Sequence, residues 1–195
     1  MTLETSKILG GVGALLMVIT PFLGTYTGVL GLIGLILVMI SLKGLADHYG
    51  ESGIFNNALY GIIIAIIGGV ISVAVVVMAA VDFLSAVGID ISKAWNDPTI
   101  LSSINWQELL TWDIVSPYIA AVIGSLVALF IFVVIASIFL RRSLTILSEK
   151  TGVGLFGTTG LLMLIGAILT IIAIGFILLW ISLVLLTLSF FSIKT

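Results

Sequence analysis

GIIIAIIGGVISVAVVVMAAV, residues 61–81, contains no charged side chain, and its only polar one is the hydroxyl of Ser72. Val and Ile dominate it, and in water such residues favour strands. A membrane barrel strand, however, is about 10 residues long and alternates apolar with polar positions. This run is twice that length and does not alternate. In lipid an isolated apolar tract must satisfy its own backbone N–H and C=O groups, and only a helix does so within one segment. The stretch is therefore predicted to be a transmembrane helix.

The rest of the chain agrees with this reading. Hydrophobic residues make up 61% of the 195 and charged residues 8%, with a mean hydropathy of +1.41. Soluble domains carry about 25% charged residues. A water-soluble core of this size has no room for so much apolar surface, so a bilayer is the expected solvent and the expected partner. Net charge is −2, without a basic run, which excludes nucleic acid as a partner. Cysteine is absent, and with it disulfides, thiol catalysis and Cys-ligated metals. In MTLETSKILGGVGALLMVIT (1–20), Glu4 precedes the lone Lys7 and no small-x-small cleavage site precedes Pro21. This start is read as part of the mature protein rather than as a signal peptide.

Five apolar tracts follow: 8–24, 28–46, 57–81, 114–140 and 158–191. A span takes about 17–25 residues. PFLGTYTG (21–28) separates the first two, and its proline and two glycines predict a tight helical hairpin, either spanning or re-entrant. The last tract, 34 residues long, would extend roughly 50 Å as one helix. Such a helix must tilt, kink or protrude, and Gly157, Gly160, Gly166 and Gly175 are candidate places for a bend, although helix-packing contact is the commoner use of such glycines. The fold class is an all-α integral membrane protein, one transmembrane helical domain over 1–195 with five spans.

With five crossings, Lys7, Lys43, Arg141, Arg142 and Lys150 fall on one side, and Lys93 and Lys194 on the other. The positive-inside rule then places the N-terminus in the cytoplasm and the C-terminus and the 82–113 loop outside. That loop carries Asp82, Asp90, Asp97, Glu108 and Asp113. It lacks the alternating ligands of an EF-hand, so solvated acidic surface is the expectation. Asn105 and Glu108 resemble a capping box. Trp95, Trp106 and Trp112 suit a short interfacial helix that anchors at the headgroups.

Chemistry has few places to reside. The tract interiors hold no ionisable residue, which argues against a proton-coupled pump or a carboxylate-ring channel. A pore would have to use Tyr26, Ser72, Ser125 or Thr170, groups that more commonly bond to helix backbone. GVGLFGTTG (152–160) lacks the ending of a phosphate loop, GGVG (10–13) lacks the context of a dinucleotide fingerprint, and no H-E-x-x-H or G-x-S-x-G occurs. Asp47, His48 and Glu51 share a rough helical face. Between two spans, with Gly50 and Gly53 alongside, they read first as a cytoplasmic turn and only second as a metal or catalytic cluster. No cofactor is expected, and no enzyme.

Small residues do have a legible role. Gly61, Ala65 and Gly69 recur every fourth position, as do Ala120, Gly124 and Ala128. Such faces let backbones approach, within the chain, in a homo-oligomer or against another membrane subunit.

LKGLADHYGESGIFNNALYGIIIAIIGGV (42–70), KILGGVGALL (7–16), TTGLLMLIGAILTIIAIGFILLW (158–180) and FFSIK (190–194) together resemble an archaeal family of small polytopic membrane proteins, domain of unknown function 996. The resemblance implies a multi-pass helical fold in an archaeal cell membrane. It carries no activity, substrate, cofactor or functional residue across. The expected function is that of a non-enzymatic scaffold or accessory subunit acting through helix packing, with a small channel or transporter as the alternative.

Overall fold

The computed structural model describes residues 1–24, 27–90, 93, 96, 97, 99 and 111–194. Six long helices make up most of them: α1 (Leu3–Ile19), α2 (Thr27–Tyr49), α3 (Ser52–Ala86), α4 (Trp112–Thr151), α5 (Gly154–Leu169) and α6 (Ile174–Phe191). Short 3₁₀ turns, Thr20–Phe22 and Thr170–Ile172, end α1 and α5. There is no strand among the described residues. Counted with these turns where they adjoin, all six helices are long and apolar enough to cross a membrane. The predicted interfacial helix falls largely outside the described residues.

Local chemistry marks the ends. Thr2 caps α1 by accepting from the Thr5 N–H, and Pro21 opens the 3₁₀ turn, where a missing N–H costs nothing. Gly50 follows α2 with φ 62°, and the next N–H, that of Glu51, returns to the Ala46 carbonyl at 2.9 Å. This is a Schellman closure, which needs a residue without Cβ strain.

The structure has six long apolar helices where the sequence reading has five tracts. The tract 158–191 is two helices, broken at Ala173, whose φ of 62° is left-handed. The Ala173 N–H bonds to the Thr170 carbonyl, and the Thr170 hydroxyl to the Ala167 carbonyl. Gly175 lies so close to the Gly166 carbonyl that a Cβ would collide with it. The two glycines therefore permit a sharp reversal rather than a gentle bend. With six helices instead of five, the C-terminus returns to the end where the N-terminus lies. Lys7 Nζ donates to the Ile193 carbonyl at 2.6 Å, which corrects the expectation that the termini lie on opposite sides.

The chain divides into two units, Met1–Ala65 with Phe132–Thr195, and Ile66–Ile131. In the first, α1 and α2 meet backbone to backbone: a Cβ on Gly13 would stand 2.6 Å from the Gly34 carbonyl, and the reverse holds equally. α6 runs antiparallel to α1, with Trp180 Nε1 donating to the Val18 carbonyl at 3.0 Å near the opposite end from Lys7. Leu42, Leu45, Ile54, Leu144, Leu147, Phe156, Phe190 and Ile193 form the buried cluster.

A repeat organises this cluster. SLKGLADHYG (41–50) ends α2, and SLTILSEKTG (143–152) spans the end of α4 and the glycine after it, with Ser, both Leu and Gly at the same spacing. Both serines are fully buried. Ser41 Oγ donates to the Ser6 carbonyl on α1 at 2.6 Å, and Ser143 Oγ to the Ile54 carbonyl on α3. Buried Ser189 on α6 lies 3.4 Å from Thr159 Oγ1 on α5. The first two hairpins are thus joined by a hydroxyl at the same end, and at that end of the third the Ser189 and Thr159 hydroxyls touch while donating to the Leu185 and Leu155 carbonyls of their own helices.

In the second unit, Ser72 Oγ on α3 donates to the Ser125 carbonyl on α4 at 3.1 Å. Phe83 and Tyr118 meet edge to face, 5.3 Å between centroids.

Placing a side chain between α1 and α2 is expected to overpack the contact. Gly34→Val should cost about 1–3 kcal/mol or more, whereas Gly69→Ala, with nothing within 4 Å of its Cβ position, should change stability by under about 0.5 kcal/mol. Denaturation by SDS in mixed micelles measures both.

Candidate functional site

The end of the first unit where α2 meets α3 and α4 meets α5 gathers its polar groups. Gly50 and Gly152, both with positive φ, turn the chain there. Lys43, Asp47, His48, Glu51, Glu149 and Lys150 occupy the flanking turns.

The structure sends the three residues Asp47, His48 and Glu51 to different partners. Asp47 accepts from Lys43 Nζ at 2.8 Å, one turn back on α2. His48 meets the Tyr49 ring edge-on, with centroids 5.0 Å apart. Glu51 pairs across the turns with Lys150 on α4 at 3.5 Å. Both ion pairs are well exposed, with side chains 56% and 63% accessible in the first and 43% and 36% in the second. Each is worth about 0–1 kcal/mol. Among the described residues, no three His, Asp or Glu side chains approach closely enough to hold a metal ion.

The small residues separate by use. A Cβ on Gly61 would stand 2.9 Å from the Ala136 carbonyl, so this glycine brings α3 against α4 within the first unit. Ala65 lines a cavity of about 200 Å³ with Ala136, Met163 and Leu183. Gly69 and Gly124 have open space where a Cβ would go. Ala120 is exposed and Ala128 half-buried.

The proposed pore hydroxyls serve the backbone. Ser72 bonds to Ser125 as described, Ser125 Oγ bonds to the Val122 carbonyl and Thr170 to its own helix. Tyr26 lies outside the described residues. In the 200 Å³ cavity, Ser137 and Ser182 turn their hydroxyls to the Val134 and Leu179 carbonyls of their own helices. No buried side-chain nitrogen or oxygen lacks a partner among the described residues.

Of the three tryptophans expected at the interface, Trp112 opens α4 and is exposed, while Trp95 and Trp106 lie outside the described residues. In the acidic loop Asp90 pairs with Lys93 at 3.9 Å, and the Asp97 carboxylate accepts from the Thr99 hydroxyl and N–H, which holds its carboxyl below the usual range. Sequence reasoning passed over Trp180, which ties α6 to α1 and packs on Phe22. Its signal was its isolation, since it is the only tryptophan outside the 95–112 region. It also passed over Arg141 and Arg142 as anything but topology markers. With Asn57, Thr145 and Leu164 they line a cavity of about 610 Å³.

Glycine-closed turns and six helices long and apolar enough to cross a membrane define a class of all-helical proteins compatible with a bilayer. Within it, the chain belongs to the family described as protein of unknown function (DUF996), whose model matches residues 30–184. An uncharacterized protein of Methanocaldococcus jannaschii is 28% identical over 193 residues, covering 99% of this chain and 94% of the relative. No solved structure matches.

His48→Ala is expected to leave the melting temperature and the metal content of the purified protein unchanged. Differential scanning fluorimetry and elemental analysis check this, and a loss of stoichiometric metal would contradict it.

Proposed function

We propose that the chain is a multi-pass membrane protein that acts, without catalysis, as a scaffold or accessory subunit by packing its helices against another membrane component. The observation that carries this reading is the division of the small residues. Gly61, Gly13, Gly34 and Gly166 are used up by contacts within the chain, while Gly69 and Gly124 meet nothing. Around them Ile66, Val70, Val73, Ile123 and Val127 are exposed. Lipid accommodates such a surface, and a second helix does so with closer van der Waals contact.

The transport reading finds less support. A path for ions or solutes needs polar groups facing a common space. The serines beside the 200 Å³ cavity are bonded to their own helices instead.

Orientation follows from charge. With six crossings, Lys194 joins Lys7, Lys43, Arg141, Arg142 and Lys150 at one end, and by the positive-inside rule that end faces the cytoplasm. Both termini are then cytoplasmic, and the acidic loop lies outside.

Extraction from native membranes in mild detergent is expected to yield a particle heavier than the 20.6 kDa chain by intact mass spectrometry. Gly124→Leu should reduce that particle to the single chain without lowering the melting temperature. A monomer from the unaltered protein, or liposomes in which it raises solute flux above background, would overturn the proposal.

A further inference from the structure

We infer that Arg141 and Arg142 form a docking site for the phosphate of an anionic phospholipid. Both arginines, successive on α4, line an open cavity of about 610 Å³ between α3, α4 and α5. Gly160 brings α5 against the α4 backbone there, since a Cβ at this position would lie 3.1 Å from Arg141 Cα. Arg142 sits over the Phe139 ring at 5.8 Å, a cation–π contact that orients it.

What is missing around them points to the ligand. Among the described residues, no carboxylate or hydrogen-bond acceptor meets either guanidinium, although the same end holds Asp47 and Glu51. Asp47 and Glu51 are taken by Lys43 and Lys150, and Glu149, exposed two turns beyond Arg142 on α4, pairs with neither arginine. Two uncompensated, planar donors at the edge of an apolar surface match the oxygens of a phosphate, which they can grip in bidentate fashion. Thr145, one turn further along the same face, adds a hydroxyl donor. Asn57 donates its amide N–H to the Gly53 carbonyl at 2.7 Å, which leaves its amide oxygen to accept from a headgroup hydroxyl.

The remaining wall selects a lipid over a free anion. Ile146 and Leu164 line the same cavity, a surface useless to inorganic phosphate but complementary to a chain descending from a headgroup. A basic pocket between helices at a cytoplasmic membrane face is the setting in which anionic lipids are held. The inference rests on the membrane reading above.

The test uses the full chain in nanodiscs of phosphatidylglycerol or of phosphatidylcholine. Phosphatidylglycerol should raise the unfolding temperature by roughly 2–4 °C over phosphatidylcholine. The difference should vanish in Arg141→Gln/Arg142→Gln and persist in Lys43→Gln, whose cation lies outside the cavity. A second measurement leaves both arginines in place. The chain has no cysteine, so Thr145→Cys supplies a single thiol, whose labelling by a water-soluble maleimide should slow several-fold in phosphatidylglycerol. Equal stability in the two lipids, a difference that survives loss of both arginines, or unslowed labelling would overturn the site. Equal protection by inorganic phosphate in phosphatidylcholine discs would overturn its assignment to a lipid. Release of the chain from membranes by alkaline carbonate would overturn the membrane reading itself, whereas retention with no lipid preference would overturn the site alone.

Discussion

The approach of Gly13 to Gly34, each facing the other's carbonyl oxygen at a Cβ distance of 2.6 Å, is the contact on which the bundle depends. Between helices in lipid, burying one more leucine gains little, because the hydrocarbon outside is as apolar as the leucine. On the membrane reading proposed above, dispersion at short range and satisfied hydrogen bonds have to supply the attraction. Removing Cβ atoms brings many backbone atoms into contact at once, and it does so where α1 crosses α2, where α3 crosses α4 at Gly61, and where α5 turns into α6 at Gly166 and Gly175. Gly10 and Gly11 extend the device to α6, lying directly beneath the rings of Phe190 and Phe191.

Close packing alone leaves helices free to slide, and the buried hydroxyls restrict that freedom. Ser41 and Ser143 each donate to a carbonyl of the preceding helix. A hydroxyl withdrawn from its acceptor in an apolar setting would cost about 1–3 kcal/mol, so each contact fixes register as well as proximity. The Leu pairs after Ser41 and Ser143 then fall into the same cluster, and Gly50 and Gly152 stop the helices in step. Local sequence, capping and packing agree at both copies, which is the consistency expected of a sequence that specifies one arrangement.

Much of this fold was legible in the residues. Continuous apolarity decided helix over strand, and PFLGTYTG marked the first hairpin through its proline and glycines. The second turn was hidden because TIIAIG carries no proline, no charge and no polar run, and a hydropathy reading passes straight through it. Only the pairing of Gly166 with Gly175, a property of two positions in space, makes the reversal possible. The fates of Gly61 and Gly69 were equally hidden. Both stand on one helical stripe, yet one is covered by α4 and the other faces open space, and spacing along a single helix does not say where its neighbour ends. The partners of Asp47, His48 and Glu51 were hidden for a related reason. Helical spacing brings side chains within reach of one another, but Lys43 and Lys150 offered the two carboxylates opposite charges, and the histidine was left to its neighbouring tyrosine.

Charge asymmetry and helix count constrain each other. With five crossings, Lys194 counts against the basic side, and with six it counts for it. The Lys7 bond to Ile193 supports the second count, because it sets the lysine at the start of α1 beside the end of α6. The extra hairpin turn at Ala173 therefore does more than add a helix. It collects the cations of the first unit at one end, and the same concentration leaves more positive than negative charge around Arg141 and Arg142. An excess of fixed cations at a membrane surface draws anionic headgroups from within about a Debye length. In the proposed lipid site, the fold would supply the field before any particular contact supplies the specificity.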